Sequence, residues 1–241
     1  MLRLPPLNMN SSNSIRNRFL ARLKHGLLTQ EILDRLAQIG VCAYPYFLVR
    51  ELPLKRPELA ECGEGLDSRF LEPAELIDVS KIPQRPRDLV RLEGRLRNGG
   101  CYGIFEAGKL AAYSWYSSER IPTAIGGHVL CELPSNTLYL YDAYVRPEFR
   151  GRRIAGLMRH QLHQALAMQG ATSFISITLA FNKSSRRFKS KLGAEEFEMR
   201  FLFTIARLGG LDMRLSRSQK FIEAPRIKLL SHTASQEISE E

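Results

Sequence analysis

The sequence from Leu138 to Gly156 changes from a strand pattern to a helix pattern around one proline. Residues 138–145 are apolar or aromatic apart from Asp142, which predicts a buried strand. Pro147 has no backbone N–H for a ladder, so we expect the strand to end before it. From Ile154 onward, apolar residues recur at helical spacing, which predicts a helix that packs by one face.

The turn between these two elements is rich in arginine and small residues. Its members are Arg150, Gly151, Arg152, Arg153, Ile154 and Ala155. A helix begins with backbone N–H groups that lack an internal partner, and its dipole favours negative charge there. The turn therefore predicts an anion site, with phosphate or pyrophosphate as the expected ligand. The alternative is an ordinary turn whose arginines are solvated.

A second motif follows the predicted helix. Residues 173–181 form a β-prone run, and because a helical crossover joins them to the first strand, we expect the two strands to be parallel. Asn182 then stands where it would cap another helix, which ends at Leu192-Gly193. A last strand is predicted over residues 197–203.

Taken in this order, the two motifs resemble the signatures of the GNAT superfamily of acyl-CoA-dependent N-acyltransferases. The loop of that family reads Gln/Arg-x-x-Gly-x-Gly/Ala. Arg150 and Ala155 fit its ends, whereas Arg153 replaces the middle glycine. The resemblance covers about residues 69 to 205. It implies an α/β fold with a mixed, mostly antiparallel central sheet that is splayed between the fourth and fifth strands and flanked by helices.

The resemblance also implies a co-substrate, acetyl-CoA or another acyl-CoA, and no metal. A slot for its pantetheine arm would open where the two parallel strands splay apart. The residues that match the family's binding positions are Val145, Arg150, Gly151, Arg152, Arg153, Ile154, Ala155 and Asn182.

In the family, an amine attacks the acyl thioester directly within a ternary complex. A backbone N–H at the end of the fourth strand polarises the thioester carbonyl, and this position falls on Tyr144 or Val145. Protonation of the leaving thiolate is often assigned to a tyrosine seven residues after the capping asparagine, where this chain has Lys189. Lys189 would donate a proton there, or would lie on a basic surface with its neighbours. Tyr144 is the second candidate acid.

The general base is expected to be Asp142, the one acid on the strand, because burial would raise its pKa into a useful range. Tyr141 stands where many relatives carry glutamate, so a water chain to Asp142, Glu119 or Glu132 is an alternative. An equal alternative makes Asp142 a structural acid that pairs with an arginine or with the backbone.

The patterns divide the chain into an N-terminal helical extension over residues 1–67, a GNAT-like domain over 68–207 and a C-terminal tail over 208–241. Residues 15–27 of the extension are basic and amphipathic. They are interpreted as a helix docked on the domain, a helix in peripheral contact with a membrane, or a transit segment. A second helix is predicted over 30–39.

Shorter elements are predicted on either side of the domain boundary. The extension carries a short strand at Tyr46–Val49 and a polar connector at Lys55–Asp67. The domain opens with a strand at Phe70-Leu71, a helix from Pro73 and a helix over Pro86–Leu96. A hairpin then joins residues 101–105 to residues 110–116.

Net charge is +10, from 35 Lys and Arg against 25 Asp and Glu, and this balance favours polyanionic partners. An acidic acyl carrier protein would suit such a surface as the acyl donor. Nucleic acid is the rival partner. However, aromatic residues do not interleave with the basic clusters at 146–153 and 183–191, so no specific nucleic acid is expected.

Four cysteines, Cys42, Cys62, Cys101 and Cys131, lie far apart and form no CxxC pair. Neither a zinc site nor a disulfide framework is indicated, and reduced thiols favour a cytoplasmic location. His160 and His163 fall opposite the apolar face of the predicted helix, so we expect them at the surface.

These observations together predict an N-acyltransferase that moves an acyl group, with acetyl as the expected group, to an amine on a small molecule or a protein. One alternative is a long-chain N-acyltransferase that depends on acyl carrier protein. The other is a non-catalytic module that binds nucleotide or nucleic acid.

Overall fold

The computed structural model describes residues 32–53, 63–122, 129–205 and 209–217, apart from residues 34, 37 and 84. The amphipathic segment predicted over 15–27 lies outside the described residues. Residues 32, 33, 35, 36 and 38 are helical, and Gly40 follows them with a φ of 89°, as the second predicted helix requires. No helix in these ranges is long and apolar enough to span a membrane.

Eight strands of the described chain form one open sheet in the order β10-β9-β1-β8-β7-β4-β3-β2, and β5 pairs with β6 separately. The strands are β1 (Val41–Glu51), β2 (Leu66–Phe70), β3 (Gly99–Glu106), β4 (Lys109–Ser117), β5 (Arg120–Pro122), β6 (Val129–Glu132), β7 (Thr137–Val145), β8 (Ser173–Leu179), β9 (Glu195–Ile205) and β10 (Gly209–Arg217). The helices that flank the sheet are α1 (Leu76–Ser80), α2 (Leu89–Arg95), α3 (Ile154–Met168) and α4 (Lys183–Lys191). Short 3₁₀ turns occupy Pro73–Glu75, Leu96–Asn98 and Pro147–Phe149.

The sheet is mixed and mostly antiparallel. The ladders β2–β3, β3–β4, β4–β7 and β9–β10 are antiparallel, whereas β7 and β8 are parallel, as the helical crossover through α3 requires. The β7–β8 ladder runs only from Thr137–Ser173 to Tyr139–Ile175, although both strands continue beyond it. The predicted fold class, with its sheet splayed between these two strands, is confirmed.

The chain falls into two compact units. One contains residues 50–176 and 192–194, and the other contains the described residues up to 49 together with 177–191 and 195–217. In the first unit, α3 covers one face of the strands with Met158 and Leu162. Helices α1 and α2 cover the other face, where Trp115 of β4 is buried in the same hydrophobic cluster. Both faces of β4 and β7 are therefore buried, which explains their nearly continuous apolar sequence.

Buried polar contacts tie together the strands of the second unit. Arg200 of β9 donates to Asp212 of β10 at 3.0 Å and to Glu198 at 2.6 Å. The Tyr46 hydroxyl of β1 donates to the other oxygen of Asp212 at 2.8 Å. Burial, with the charge of Asp212, raises the pKa of Tyr46, so this phenol stays protonated as a hydrogen-bond donor. These contacts hold β1, β9 and β10 together in addition to backbone pairing.

Five strands depart from the sequence-based expectations. β1 is longer than the predicted Tyr46–Val49 and lies inside the sheet, between β8 and β9. β10 occupies part of the segment expected as a tail and pairs with β9. β2 begins at Leu66, within the expected connector, and the short strands β5 and β6 were not predicted. Local patterns miss such strands because pairing with distant segments decides their formation.

The histidines of α3 are buried, so the surface position expected for them is wrong. His160 and His163 are 2% and 0% exposed, and the His163 ring stacks on Phe174 with centroids 4.1 Å apart. A carboxylate oxygen of Glu51, the last residue of β1, lies 3.5 Å from His163 Nε2 and 3.4 Å from Arg159 Nε. Because Glu51 supplies a negative charge to this face of α3, polar side chains are tolerated in the interior.

Replacement of Glu51 by Gln should be strongly destabilising. The amide still accepts from the Ser176 hydroxyl, which lies 2.7 Å from Glu51 in the native chain, but it leaves Arg159 buried without this counter-charge. We expect a loss of about 3–5 kcal/mol in the free energy of unfolding, measured by urea denaturation. The exposed Glu64→Gln is the control and should stay within about 0.5 kcal/mol of the native protein. Equal midpoints for the two variants would contradict this role.

Stability should also fall as the pH drops below about 6.5, the usual pKa of an unfolded histidine. Burial lowers the pKa of His163, and Glu51 only partly opposes this effect. Between the folded and unfolded pKa values the unfolded chain binds more protons, so the free energy of unfolding rises with pH in that window. Urea denaturation between about pH 5.5 and pH 7.5 should show this slope in the native protein and a smaller slope in His163→Gln. An unchanged slope in the variant would refute the assignment.

Candidate active site

β7 contains a bulge near its end. Tyr113 and Trp115 of β4 pair with Tyr144 and Tyr141, so two residues of β7, Asp142 and its successor, lie opposite one residue of β4. Asp142 has a φ of 49°, a left-handed conformation that aspartate tolerates better than most residues. The bulge shifts the alternation of the strand, and Tyr141 and Tyr144 therefore both pack on the face covered by α1 and α2.

Three arginines surround the Asp142 carboxylate, which is 7% exposed. Its oxygens lie 2.8 Å from Arg85, 3.3 Å from Arg87 and 2.6 Å from Arg95. Arg95 belongs to α2, and the other two precede that helix. Asp142 is therefore paired with arginine, as the alternative to the general base expects.

Aromatic rings enclose these charges. The Arg95 guanidinium lies 5.2 Å from the Trp115 ring centroid and 5.4 Å from that of Tyr141, and Arg85 lies 5.7 Å from that of Tyr144. Burial raises the pKa of Tyr141 to about 12, so its phenol is neutral at physiological pH.

Cys101 lies on the same face of the sheet and is buried there. Burial, and then the negative charge of Asp142, raise the pKa of its thiol. A protonated, buried thiol is a poor nucleophile, so Cys101 is not suited to form an acyl-enzyme.

The backbone geometry separates the two candidates for the oxyanion donor. The Arg146 N–H donates to the Ala111 carbonyl at 3.0 Å, and Tyr144 pairs with Tyr113, so both residues direct their backbone groups toward β4. N–H groups alternate along a strand, so that of Val145 points to the opposite edge of β7. The ladder on that edge has already ended at Tyr139–Ile175. Val145, and not Tyr144, therefore presents a backbone N–H outside the sheet ladders.

The arginine-rich turn lies directly after this edge. The Arg150 side chain is exposed, donates from Nε to the Val145 carbonyl at 3.1 Å, and lies 5.7 Å from the Tyr144 ring centroid. Gly151 has a φ of 81° with open space around its Cα. Arg153 caps α3 with a φ of 58°; no side chain accepts from the first N–H groups of that helix, and its first turn contains no acidic residue.

Not every residue of the turn is available to an anion. Arg152 forms two hydrogen bonds with Glu106, one of them 3.1 Å long, so its charge is already compensated. The Ile154 side chain belongs to the core under α3, so this residue offers only its backbone. The start of α3 and the exposed side chains of Arg150 and Arg153 are the groups of this turn that an anion would meet.

Asn182 and Lys189 belong to the second compact unit. The Asn182 side chain accepts from the Ser185 N–H at 3.0 Å, as expected of the residue that caps α4. Lys189 is 6% exposed and donates to the Ile177 carbonyl at 3.2 Å and to the Thr178 hydroxyl. The alternative that placed Lys189 on a basic surface is wrong, because the ammonium group is held against β8.

The other acids named from the sequence lie apart from these contacts. Glu119 is exposed, and the side chain of Glu132 lies outside the described part of the chain. Within that part, no three His, Cys, Asp or Glu residues are arranged to hold a metal ion.

Sequence reasoning missed the three arginines around Asp142 and the unpaired edge at Val145. In the sequence, only Asp142 pointed to these arginines, because a carboxylate on a buried strand needs a counter-charge. The identity of the partners was not readable, because Arg85 and Arg87 lie in an irregular segment without periodicity.

The open sheet, the parallel β7–β8 ladder that stops short and the helix that begins at an arginine-rich turn agree with the α/β architecture that the family resemblance implies. Residues 70–194 match the Acetyltransferase (GNAT) family, and the chain belongs to that family.

Solved structures with a similar fold include a GNAT-family acetyltransferase from Novosphingobium aromaticivorans, with 18% identity over 68% of this chain and 66% of that chain and a TM-score of 0.46. The glucosamine N-acetyltransferase region of a fungal multi-domain β-N-acetylglucosaminidase has 13% identity over 74% of this chain and 23% of that chain, with a TM-score of 0.52. A ribosomal-protein-alanine N-acetyltransferase from Brucella melitensis has 14% identity over 53% of this chain and 89% of that chain, with a TM-score of 0.40. At such identities the likeness concerns the fold alone. No curated protein sequence matches the chain.

Arg153 replaces a glycine of the family loop and adopts the left-handed conformation that a glycine would adopt there. Arg153 stands where the family has glycine, the residue that adopts a positive φ without strain. Arg153→Gly should therefore unfold at higher urea concentration than Arg153→Ala, which removes the same charge but keeps a Cβ atom. We expect a difference of about 1 kcal/mol in the free energy of unfolding. A more stable alanine variant would show that this conformation carries no strain.

Proposed function

We propose that the protein transfers an acyl group, with acetyl as the expected group, from acyl-CoA to a primary amine by direct attack. The observation that carries this proposal is the Val145 N–H, which points away from β4 beside the free start of α3. A donor fixed in this way stabilises an oxygen that gains negative charge in the transition state.

The residues present fit the phosphate groups of a coenzyme A thioester. The Arg153 side chain caps none of the first N–H groups of α3, and the first turn has no acidic side chain. Gly151 leaves space for close approach, and Arg150 carries an exposed positive charge. Arg153 adds a second positive charge at the helix start. Asn182, at the start of α4, is the proposed contact for the pantetheine arm, on the family resemblance.

The chemistry requires few protein groups. The amine nitrogen forms a bond to the acyl carbon, the carbon–sulfur bond breaks, and one proton passes overall from nitrogen to sulfur. The Val145 N–H stabilises the carbonyl oxygen during this exchange. The Tyr144 hydroxyl is buried and has no partner among the described residues, so we assign it as the donor that protonates the sulfur.

Two other residues receive structural roles in this proposal. Asp142 holds Arg85, Arg87 and Arg95 in place, and we infer that it positions them rather than accepting the proton of the amine. Lys189 anchors α4 to β8 and is assigned no proton transfer.

The acceptor is an amine on a small molecule or a protein. No contact in the described chain favours acyl carrier protein as donor, and residues 15–27, the expected membrane contact, lie outside it. A cytoplasmic location is proposed as well, supported by the free thiol of Cys101.

A pair of variants at Val145 tests the oxyanion donor. Val145→Pro removes the N–H without breaking the ladder to β4, whereas Val145→Ala shortens the side chain and keeps the N–H. With acetyl-CoA and a panel of primary amines, release of CoA thiol should be about 10²–10³ times slower in the proline variant than in the alanine variant.

Binding of acetyl-CoA, measured by titration calorimetry, should be similar in both Val145 variants, and circular dichroism should show the native fold. Equal turnover in the two variants would remove Val145 from the mechanism. If the native protein neither binds acetyl-CoA nor releases thiol with any amine, the acyltransferase proposal itself is wrong.

A further inference from the structure

Several buried polar atoms near Asp142 have no hydrogen-bond partner among the described residues. They are Arg87 Nε, Trp115 Nε1 and the hydroxyl of Tyr113. The arginine and tryptophan atoms can only donate a hydrogen bond. Burial raises the pKa of Tyr113 to about 12, so its hydroxyl also keeps a proton to donate. Native proteins seldom leave such donors unsatisfied, so an acceptor beyond the described residues would stabilise them.

These donors lie on one face of β4 and β7. Tyr113 and Trp115 are successive inward residues of β4, 1% and 0% exposed. The Tyr113 and Tyr144 ring centroids are 5.9 Å apart, and the Arg95 guanidinium lies 5.2 Å from the Trp115 ring centroid. These contacts place Tyr113 and Trp115 on the same face of the sheet as the arginines around Asp142.

The same face carries unmatched positive charge. Three guanidinium groups, those of Arg85, Arg87 and Arg95, face the one carboxylate of Asp142, which leaves two positive charges over. Asp88, the nearest acid along the chain, caps α2 and pairs with Arg91 instead. The three arginine side chains are each about one third exposed, so they remain accessible to a ligand. Excess charge with unsatisfied donors fits an anionic oxygen group.

We propose that this face binds a carboxylate or phosphate group carried by the acceptor amine. The inference rests on the proposed acyl transfer, because it places the reacting amine at Val145. Asp142 and Val145 are three residues apart, which limits the separation to about 10 Å along a strand. The acceptor would thus be a compact amine with an anionic group near the nitrogen, such as an amino acid or an amino phosphate, and not a polycation.

The nearby turn at Arg150 offers a competing explanation. Arg150 and Arg85 both lie 5.7 Å from the Tyr144 ring centroid, so a phosphate of the coenzyme is a second anion that this region could attract. Saturation with coenzyme A, which carries the phosphates but no acyl group, before the amine is added separates the two explanations.

The test is titration calorimetry of the full chain, saturated with coenzyme A so that no acyl group is transferred, against three probes. β-Alanine carries a carboxylate, 2-aminoethyl phosphate carries a phosphate, and ethanolamine carries no charge apart from its ammonium group. We expect saturable binding of one or both anionic amines at least about tenfold tighter than ethanolamine. The tighter of the two identifies the anionic group.

Two variants and one control locate the binding site. Arg87→Gln removes one charge, Tyr113→Phe removes only a hydroxyl, and both should weaken the preferred probe, the former by about tenfold or more. Arg91→Gln makes the same charge change on α2 at a side chain that is 87% exposed and should bind as the native protein does. Near-ultraviolet circular dichroism confirms that each variant is folded.

The outcomes are distinct. If acetyl-CoA does not bind the native protein, the proposed function fails, and this inference fails with it. If acetyl-CoA binds but neither anionic amine binds better than ethanolamine, only the inference is overturned. If Arg87→Gln weakens acetyl-CoA and leaves the amine probes unchanged, the face serves the coenzyme, and the inference is overturned in favour of that explanation.

Discussion

The site depends on one buried carboxylate. Asp142 lies on a strand that is covered on both faces, so its charge needs compensation inside the protein. The arginines before and within α2 provide it, and the bulge in β7 directs the carboxylate toward them. In a regular strand, residues five apart lie on opposite faces, yet Leu140 and Val145 both pack under α3. The bulge is responsible, and it also turns the Val145 N–H away from β4.

This arrangement explains why the loop keeps its form without the family's glycine. The turn begins where β7 ends, and the Arg146 N–H and the Arg150 side chain both bond to strand carbonyls. Arg152 is held by Glu106 at the end of β3. With neighbours fixed on either side, Arg153 adopts the positive φ that a glycine would adopt freely. What the loop requires is a backbone conformation, and contacts around it can impose that conformation on an arginine.

The sequence predicted those elements that are specified locally. The strand of β7, the helix from Ile154, the hairpin of β3 and β4 and the cap at Asn182 each follow from periodicity or from one capping residue. The helical crossover predicted the parallel placement of β8, and the family resemblance added its splay. Neither source could show the bulge, because the residues around Asp142 are compatible with a regular strand.

Contacts between distant segments account for the remaining differences. His163 was assigned to the surface because its helical face is polar, but Glu51 lies more than a hundred residues earlier and covers that face. β10 looked like a tail because its partner, β9, had to be known first. A helical wheel shows the polarity of a helix face but not which residues pack on it. A polar face is therefore wrongly assigned to the surface wherever a buried ion pair replaces apolar packing.

The positive charge of the chain illustrates why composition alone does not identify a ligand. A net charge of +10 suggested a polyanionic partner, yet Arg152, Arg186 and Arg200 are each paired with a carboxylate of the chain. These side chains stabilise the fold and contribute little to the attraction of an anion at close range. Positive charge indicates a binding site where arginines outnumber the carboxylates that pair with them and where buried donors lack acceptors. The surroundings of Asp142 meet both conditions. The useful quantity is therefore the local balance of charges and hydrogen bonds, which depends on the fold.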